Sequence, residues 1–130
     1  MSMSGWSSRA LLLGAALGLL GVLAGAFGAH GLAERVSPHD LQTWRTAAHY
    51  QQVHAVLLAA IGLSSRVDRR SLRAAVLLLA LGMLVFSGTL YAIVLGGPPI
   101  LGAVTPLGGL CLMGGWGALA VHALRRPRSS

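Results

Sequence analysis

Residues 46–64 read TAAHYQQVHAVLLAAIGLS, and whether this stretch crosses a membrane decides the fold. Val53 to Leu63 is as apolar as a membrane helix, while His49, Tyr50, Gln51, Gln52 and His54 make the opening turns polar. The runs around it are plainer. Ala10 to Ala29 has 20 residues without a charge, Ala74 to Leu95 has 22 and Ile100 to Leu124 has 25. Twenty residues make a helix about 30 Å long, which matches the hydrocarbon core of a bilayer. Counting residues 46–64 with the others predicts four spans, about 10–30, 46–64, 74–95 and 105–124, in one membrane domain over residues 1–130.

Composition agrees with that count. Hydrophobic residues make up 55% of the 130-residue chain and charged residues 10%, with a mean hydropathy of +0.71. A soluble domain carries about a quarter charged residues, so too few are present to coat a water-facing surface. A soluble enzyme, a nucleic-acid module and a disordered tail are excluded. The fold class this implies is all-α, four transmembrane helices in a compact bundle.

The charges also orient it. All 10 basic residues are arginine, set against Glu34, Asp40 and Asp68, for a net charge of +7. In a soluble chain that excess would suggest nucleic acid. Here the arginines flank apolar runs, where orienting charges belong. With four crossings, Arg9, Arg66, Arg69, Arg70, Arg73, Arg125, Arg126 and Arg128 share one side, and Arg35 and Arg45 lie on the other beside Glu34 and Asp40. The positive-inside rule then places both termini in the cytoplasm. The arginine clusters read first as topology anchors facing anionic headgroups. Arg9 ahead of an apolar run and Ala24-Gly25-Ala26 near its end resemble a cleaved signal peptide. The run is longer than a signal core and carries glycines throughout, so a retained helix is expected.

Local punctuation sets the boundaries. Ser37-Pro38-His39-Asp40 reads as a helix start, with Ser as cap, Pro in the first helical position and an acid in the first turn. Trp44 would then lie at the outer interface. Gly96-Gly97-Pro98-Pro99 ends the third helix, because Gly permits a left-handed cap and Pro cannot continue. Thr105-Pro106 offers a second cap-and-Pro start, which would leave residues 100–104 as an apolar loop. A continuous helix through Pro106 is the alternative.

Helices in lipid gain nothing from hydrophobic association, so close packing and interhelical hydrogen bonds must pair them. Gly14, Gly18, Gly21, Gly25 and Gly28 step by four and three residues, which keeps them on one seam. Gly108, Gly114, Gly115 and Gly117 offer a less regular one. Polar residues meanwhile gather toward one leaflet: His30, His49, Gln51, His54, Ser87, Tyr91 and Thr105 would converge in the outer half from all four helices, over an almost purely apolar inner half. Hydrogen bonding within a structural network is the first reading of this cluster. A pocket for a proton, ion or small ligand is the second, because intramembrane His can titrate or bind metal. His49 and His54 lie roughly 140° apart around a helix and do not naturally share a ligand. No metal, cofactor or catalytic residue is assigned, and Ser87 has no base beside it. Cys111 stands alone, which allows no internal disulfide and reads as a packing thiol. His39 and His122 read as interfacial.

The segments Gly25-Ala26-Phe27-Gly28-Ala29-His30-Gly31-Leu32, Tyr50-Gln51 with His54, Phe86-Ser87-Gly88-Thr89-Leu90-Tyr91, Thr105-Pro106-Leu107-Gly108-Gly109 and Gly115-Trp116 occur in that order. In these the chain resembles the small bacterial inner-membrane family catalogued as domain of unknown function 423, which has eukaryotic transmembrane relatives. The resemblance runs from about Leu11 to Val121. It implies a four-span protein of the bacterial cytoplasmic membrane and carries no reaction or substrate. The expectation is an integral membrane protein serving as a structural or accessory bundle, not an enzyme, with a homo-oligomer or membrane-protein partner allowed. The alternative is binding or transport of a small molecule, ion or proton through the polar cluster.

Overall fold

Every long apolar run is helical in the computed structural model, which describes residues 3–64, 67 and 69–125. Helix α1 spans Gly5–Phe27 and starts several residues before its apolar run. Ser4 is the reason: its hydroxyl accepts the Ser7 N–H at 3.2 Å and caps the first turn. A π turn, Gly28–Leu32, follows directly. Helix α2 spans Pro38–Gly62, and Ser37 accepts the Asp40 N–H at 3.1 Å ahead of Pro38, as its sequence predicts.

Helix α3 spans Arg70–Val94. Gly96 takes φ +95° just past its end, Gly96 N–H donates to Ile93 and Gly97 N–H to Ala92. That pair of bonds satisfies the last carbonyls with a left-handed glycine between them. Helix α4 spans Leu101–Leu124 with Pro106 inside it, which corrects the expected start at Thr105. The chain enters α4 through tight bonds from Leu101, Gly102 and Ala103 to Pro98, Pro99 and Ile100. Pro106 therefore falls in the opening turns, where one missing N–H leaves only the Gly102 carbonyl without its helical donor and the ring meets no side chain there.

Among the described residues, three helical segments are long and apolar enough to cross a membrane: Gly5–Leu32, Arg70–Val94 and Leu101–Leu124. Helix α2 matches them in length but not in hydropathy. The helices pack in chain order, α1 on α2, α2 on α3 and α3 on α4, and α1 meets α3 only briefly. No Cα of α4 comes within 8 Å of one in α1 or α2, so the helices do not close into a ring, although one apolar core still joins residues of all four. Leu12, Leu19 and Val22 on α1 and Leu107, Leu110 and Met113 on α4 accordingly stay exposed.

The buried apolar core lies toward the end bearing the α2–α3 connection, here called the terminal end. It joins Ala10, Ala55, Leu58, Ile61, Val76, Leu79, Met83 and Leu112. The opposite end, with the α1–α2 and α3–α4 connections, is the turn end and holds most of the polar side chains.

Candidate functional site

Gln51 sits at the centre of the buried face of α2 and is 6% exposed. Its Nε2 donates to the Leu17 carbonyl of α1 at 2.9 Å, and its Oε1 accepts from the Tyr91 hydroxyl of α3 at 2.7 Å. One amide thus ties three helices. Beside it, Ser87 Oγ donates to the Ala47 carbonyl at 2.8 Å. Trp44 packs its ring 4.5 Å from Tyr91 and 5.5 Å from Phe27.

The donors from α2 follow a rule. Gln51 reaches Leu17, Gln52 Nε2 reaches Gly21 at 2.8 Å and Trp44 Nε1 reaches Ala24 at 2.7 Å, each at a backbone carbonyl of α1. Each acceptor lies four residues before a glycine: Gly21, Gly25 and Gly28. A helical carbonyl already serves the N–H four residues on, and its second lone pair can be approached only past the side chain there. With glycine in that place the carbonyl is open. A Cβ at Gly28 would lie 2.6 Å from Trp44, at Gly21 2.9 Å from Gln52 Cγ and at Gly25 3.1 Å from Gln52 Nε2. Gly14 and Gly18 continue the seam onto Ala59 and Ala55. All five glycines face α2, and they serve hydrogen bonding as well as close approach.

His54 lies on the other flank of α2, toward α4. Its Nδ1 contacts the Tyr50 carbonyl at 2.7 Å and its Nε2 the Trp116 Nε1 at 3.2 Å. An indole nitrogen only donates, so Nε2 accepts and Nδ1 carries the proton to Tyr50. Both ring nitrogens of a neutral imidazole are spent. Tyr50 stacks on His54 at 5.9 Å and leans on Phe86 at 4.5 Å. Thr105 is bonded elsewhere again, its hydroxyl 2.6 Å from that of Thr89 and 3.0 Å from the Leu101 carbonyl.

The seven residues gathered by sequence therefore separate into groups. Gln51, Tyr91 and Ser87 adjoin one another, His54 faces away with Trp116, and Thr105 pairs with Thr89. His30 is exposed in the π turn and His49 is exposed on α2, where it meets the Tyr50 ring edge-on at 6.3 Å. Among the described residues no three His, Cys, Asp or Glu side chains stand close enough to hold a metal ion.

The terminal end is less apolar than its sequence suggests. Ser7 Oγ donates to the Ser64 carbonyl at 3.0 Å. His122, read as interfacial, is buried and meets Ser71 across α3 and α4 at 3.0 Å. Trp6 carries the Arg9 guanidinium 5.8 Å and that of Arg73 5.5 Å from its ring centre. Sequence reading singled out none of Trp6, Gln52 as a donor, Trp116 as a partner of His54, or Gly62 and Gly82 as contact points. The only signal for the donors was their polarity within an otherwise apolar segment.

Comparison with known proteins gives a consistent result. The family described as "Protein of unknown function (DUF423)" matches residues 24–109. The UPF0382 membrane protein of Staphylococcus haemolyticus is 39% identical over 115 residues, covering 88% of this chain and 94% of that protein. The UPF0382 membrane protein YwdK of Bacillus subtilis is 38% identical over 117 residues, covering 88% and 95%. No solved structure matches the chain.

Proposed function

The chain belongs to the family of proteins of unknown function DUF423, whose matching relatives are membrane proteins, and on that premise we propose that it is a structural or accessory element of the bacterial cytoplasmic membrane, neither an enzyme nor a transporter. The observation that carries this reading is the condition of the polar side chains on α2. Trp44, Gln51, Gln52 and His54 are each bonded to another helix or to α2's own backbone. Ser87 and Tyr91 complete the set from α3. A binding or transport site needs groups with bonding capacity directed at a cargo, whereas these are directed at backbone carbonyls and side chains of the protein itself.

The same bonds support α2 as a fourth span despite its lower hydropathy. Its donors turn inward while Val53 and Val56 face outward at 43% and 70% exposure, so lipid meets mostly hydrocarbon below the turn end. Four spans put Arg9, Arg69, Arg70, Arg73 and Arg125 at one end and Arg35 and Arg45 at the other; Arg66, Arg126 and Arg128, also counted for orientation, lie outside the described residues. The arginine-rich end then faces the cytoplasm, where anionic headgroups contribute about 1 kcal/mol of attraction per arginine. The exposed apolar flanks of α1 and α4 leave room for a second copy or another membrane protein.

Reconstitution tests the proposal. Liposomes carrying the wild-type chain are expected to pass protons and ions no faster than protein-free liposomes. His54→Ala and Gln51→Leu are expected to leave that baseline alone while lowering the unfolding midpoint in detergent. A measurable flux that either substitution abolishes would sink the structural reading in favour of transport.

A further inference from the structure

Helices α2 and α4 have no Cα atoms within 8 Å of each other. Among the described residues they are joined by the hydrogen bond from Trp116 Nε1 of α4 to His54 Nε2 of α2, at 3.2 Å. The two rings meet edge to face, 6.2 Å apart. His54 is 5% exposed and Trp116 49%, so the imidazole is held inside while the indole reaches it from a half-open surface.

This bond admits one protonation state. An indole N–H can only donate, so Nε2 presents its lone pair. Nδ1 carries the single proton of the ring and donates it to the Tyr50 carbonyl at 2.7 Å. A second proton can therefore enter only at Nε2, the atom that holds Trp116. The imidazolium then turns a donor toward a donor, and the bond is lost.

The new charge also has no acid to meet within the spans. Residues 46–62 of α2, 74–94 of α3 and 101–124 of α4 contain no Asp, Glu or Arg. The ring packs against Tyr50 of α2, which leans on Phe86 of α3, and against Trp116 of α4. Of these Tyr50 alone is titratable. Tyr91 of α3 is bonded to Gln51 on the opposite flank of α2, and Cys111 lies about 140° around α4 from Trp116. A buried charge without a partner is costly, so protonation drives the ring toward water and away from the indole.

A proton can reach it. An open cavity of about 160 Å³ is lined by His49, Tyr50, Val53 and His54, with space for a few water molecules. His49 is exposed and lies about 7.5 Å nearer the turn end along the helix axis.

We propose that His54 is an acid-sensitive latch: a proton delivered from the turn end to Nε2 breaks the bond to Trp116 and lets α4 move away from α2. The proton comes from water in the cavity and returns the same way, so none crosses the membrane. The latch goes beyond the structural role by making one helix contact depend on pH.

Spin labels at Val56→Cys on α2 and Leu110→Cys on α4, in a Cys111→Ser background, test this with the full chain in lipid nanodiscs. Both positions are exposed, at 70% and 59%. The label separation is compared at pH 8 and pH 5, which bracket the range over which histidine changes charge. It is expected to lengthen reversibly at pH 5 by about 3 Å, the room one water needs between the rings. His54→Gln keeps an acceptor for the indole without a titrating group and is expected to hold the shorter distance at both pH values. Trp116→Phe removes the donor and is expected to show the longer distance already at pH 8. His49→Gln is expected to shift as the wild type does. An unchanged wild-type distance, a shift that persists in His54→Gln or vanishes in His49→Gln, or a Trp116→Phe variant that keeps the shorter distance at pH 8 would each overturn the latch.

Discussion

The α1–α2 hairpin pairs glycine contacts on backbone at its terminal end, through Gly14 and Gly62, with side-chain donors of α2 on carbonyls of α1 toward the turn end, whereas the α3–α4 hairpin rests chiefly on glycine contacts. In the first, glycines at 21, 25 and 28 uncover the carbonyls of Leu17, Gly21 and Ala24 to donors from α2. In the second, Gly82 and Gly108 face each other, a Cβ on Gly82 falling 2.9 Å from the Gly108 oxygen and one on Gly108 3.0 Å from the Gly82 oxygen. The Thr89–Thr105 and Ser71–His122 pairs then add one side-chain bond near each end. Both devices answer the same requirement, since lipid supplies no hydrophobic force between helices. They differ in what they cost the sequence. Donors make α2 the least hydrophobic helix of the four, whereas glycine packing leaves α3 and α4 free to be apolar.

That contrast can be broken at its strongest point first. Gly14→Leu would drive a side chain into the Ala59 backbone, and Gly82→Leu would do the same at Leu112 and Gly108. Each is expected to destabilise by about 3 kcal/mol, the upper range for overpacking, as read by reversible unfolding in mixed detergent. Wild-type stability in either variant would show that the corresponding hairpin does not depend on contact through its glycines.

A finer test separates the two uses of glycine within α1. Gly18→Ala places its Cβ 3.7 Å from that of Ala55, an ordinary contact, and is expected to stabilise by up to about 1 kcal/mol through helix propensity. Gly21→Ala places its Cβ 2.9 Å from Gln52 Cγ and is expected to destabilise by about 1 kcal/mol despite the same gain, because the crowded Gln52 donor bond is lost. Unfolding midpoints that move together would mean that the seam serves packing alone.

The smallest effect per contact is expected from the polar bonds themselves, at about 0.6 kcal/mol for each interhelical hydrogen bond. Gln51→Leu removes two and should cost about 1.2 kcal/mol, while Thr105→Val removes its bond to Thr89 and should cost about 0.6 kcal/mol. Double-mutant cycles with Tyr91→Phe and Thr89→Val would measure the couplings. A larger loss at Thr105 than at Gln51 would reverse the account of the two hairpins.

Much of the fold was legible because its signals are local. Ser37 with Pro38 and the glycine pair before Pro98 mark helix ends through bonds to residues a few positions away, and the structure makes those bonds. The start of α4 was legible only as two alternatives, of which the structure has the continuous helix through Pro106. Thr105-Pro106 resembles a cap, but the Pro98-Pro99 entry had already begun the helix, and a proline in the opening turns is tolerated. The polar cluster was legible only as composition. The expected convergence put Gln51 together with His54, yet Gln51 turns toward α1 and α3 while His54, stacked under Tyr50, faces α4. Their separation depends on which helix lies on which flank, and a periodicity within one helix does not contain that information.

What the sequence determined by itself was the medium, the number and approximate extent of the helices, and the glycine face of α1. Those follow from hydropathy and from contacts a few residues long. Only the tertiary structure decided that α4 stays away from α1, that each α2 side chain donating to α1 finds a carbonyl four residues ahead of a glycine, and that His122 is buried against Ser71. These depend on the relative rotation and depth of neighbouring helices, which packing sets and no single helix encodes.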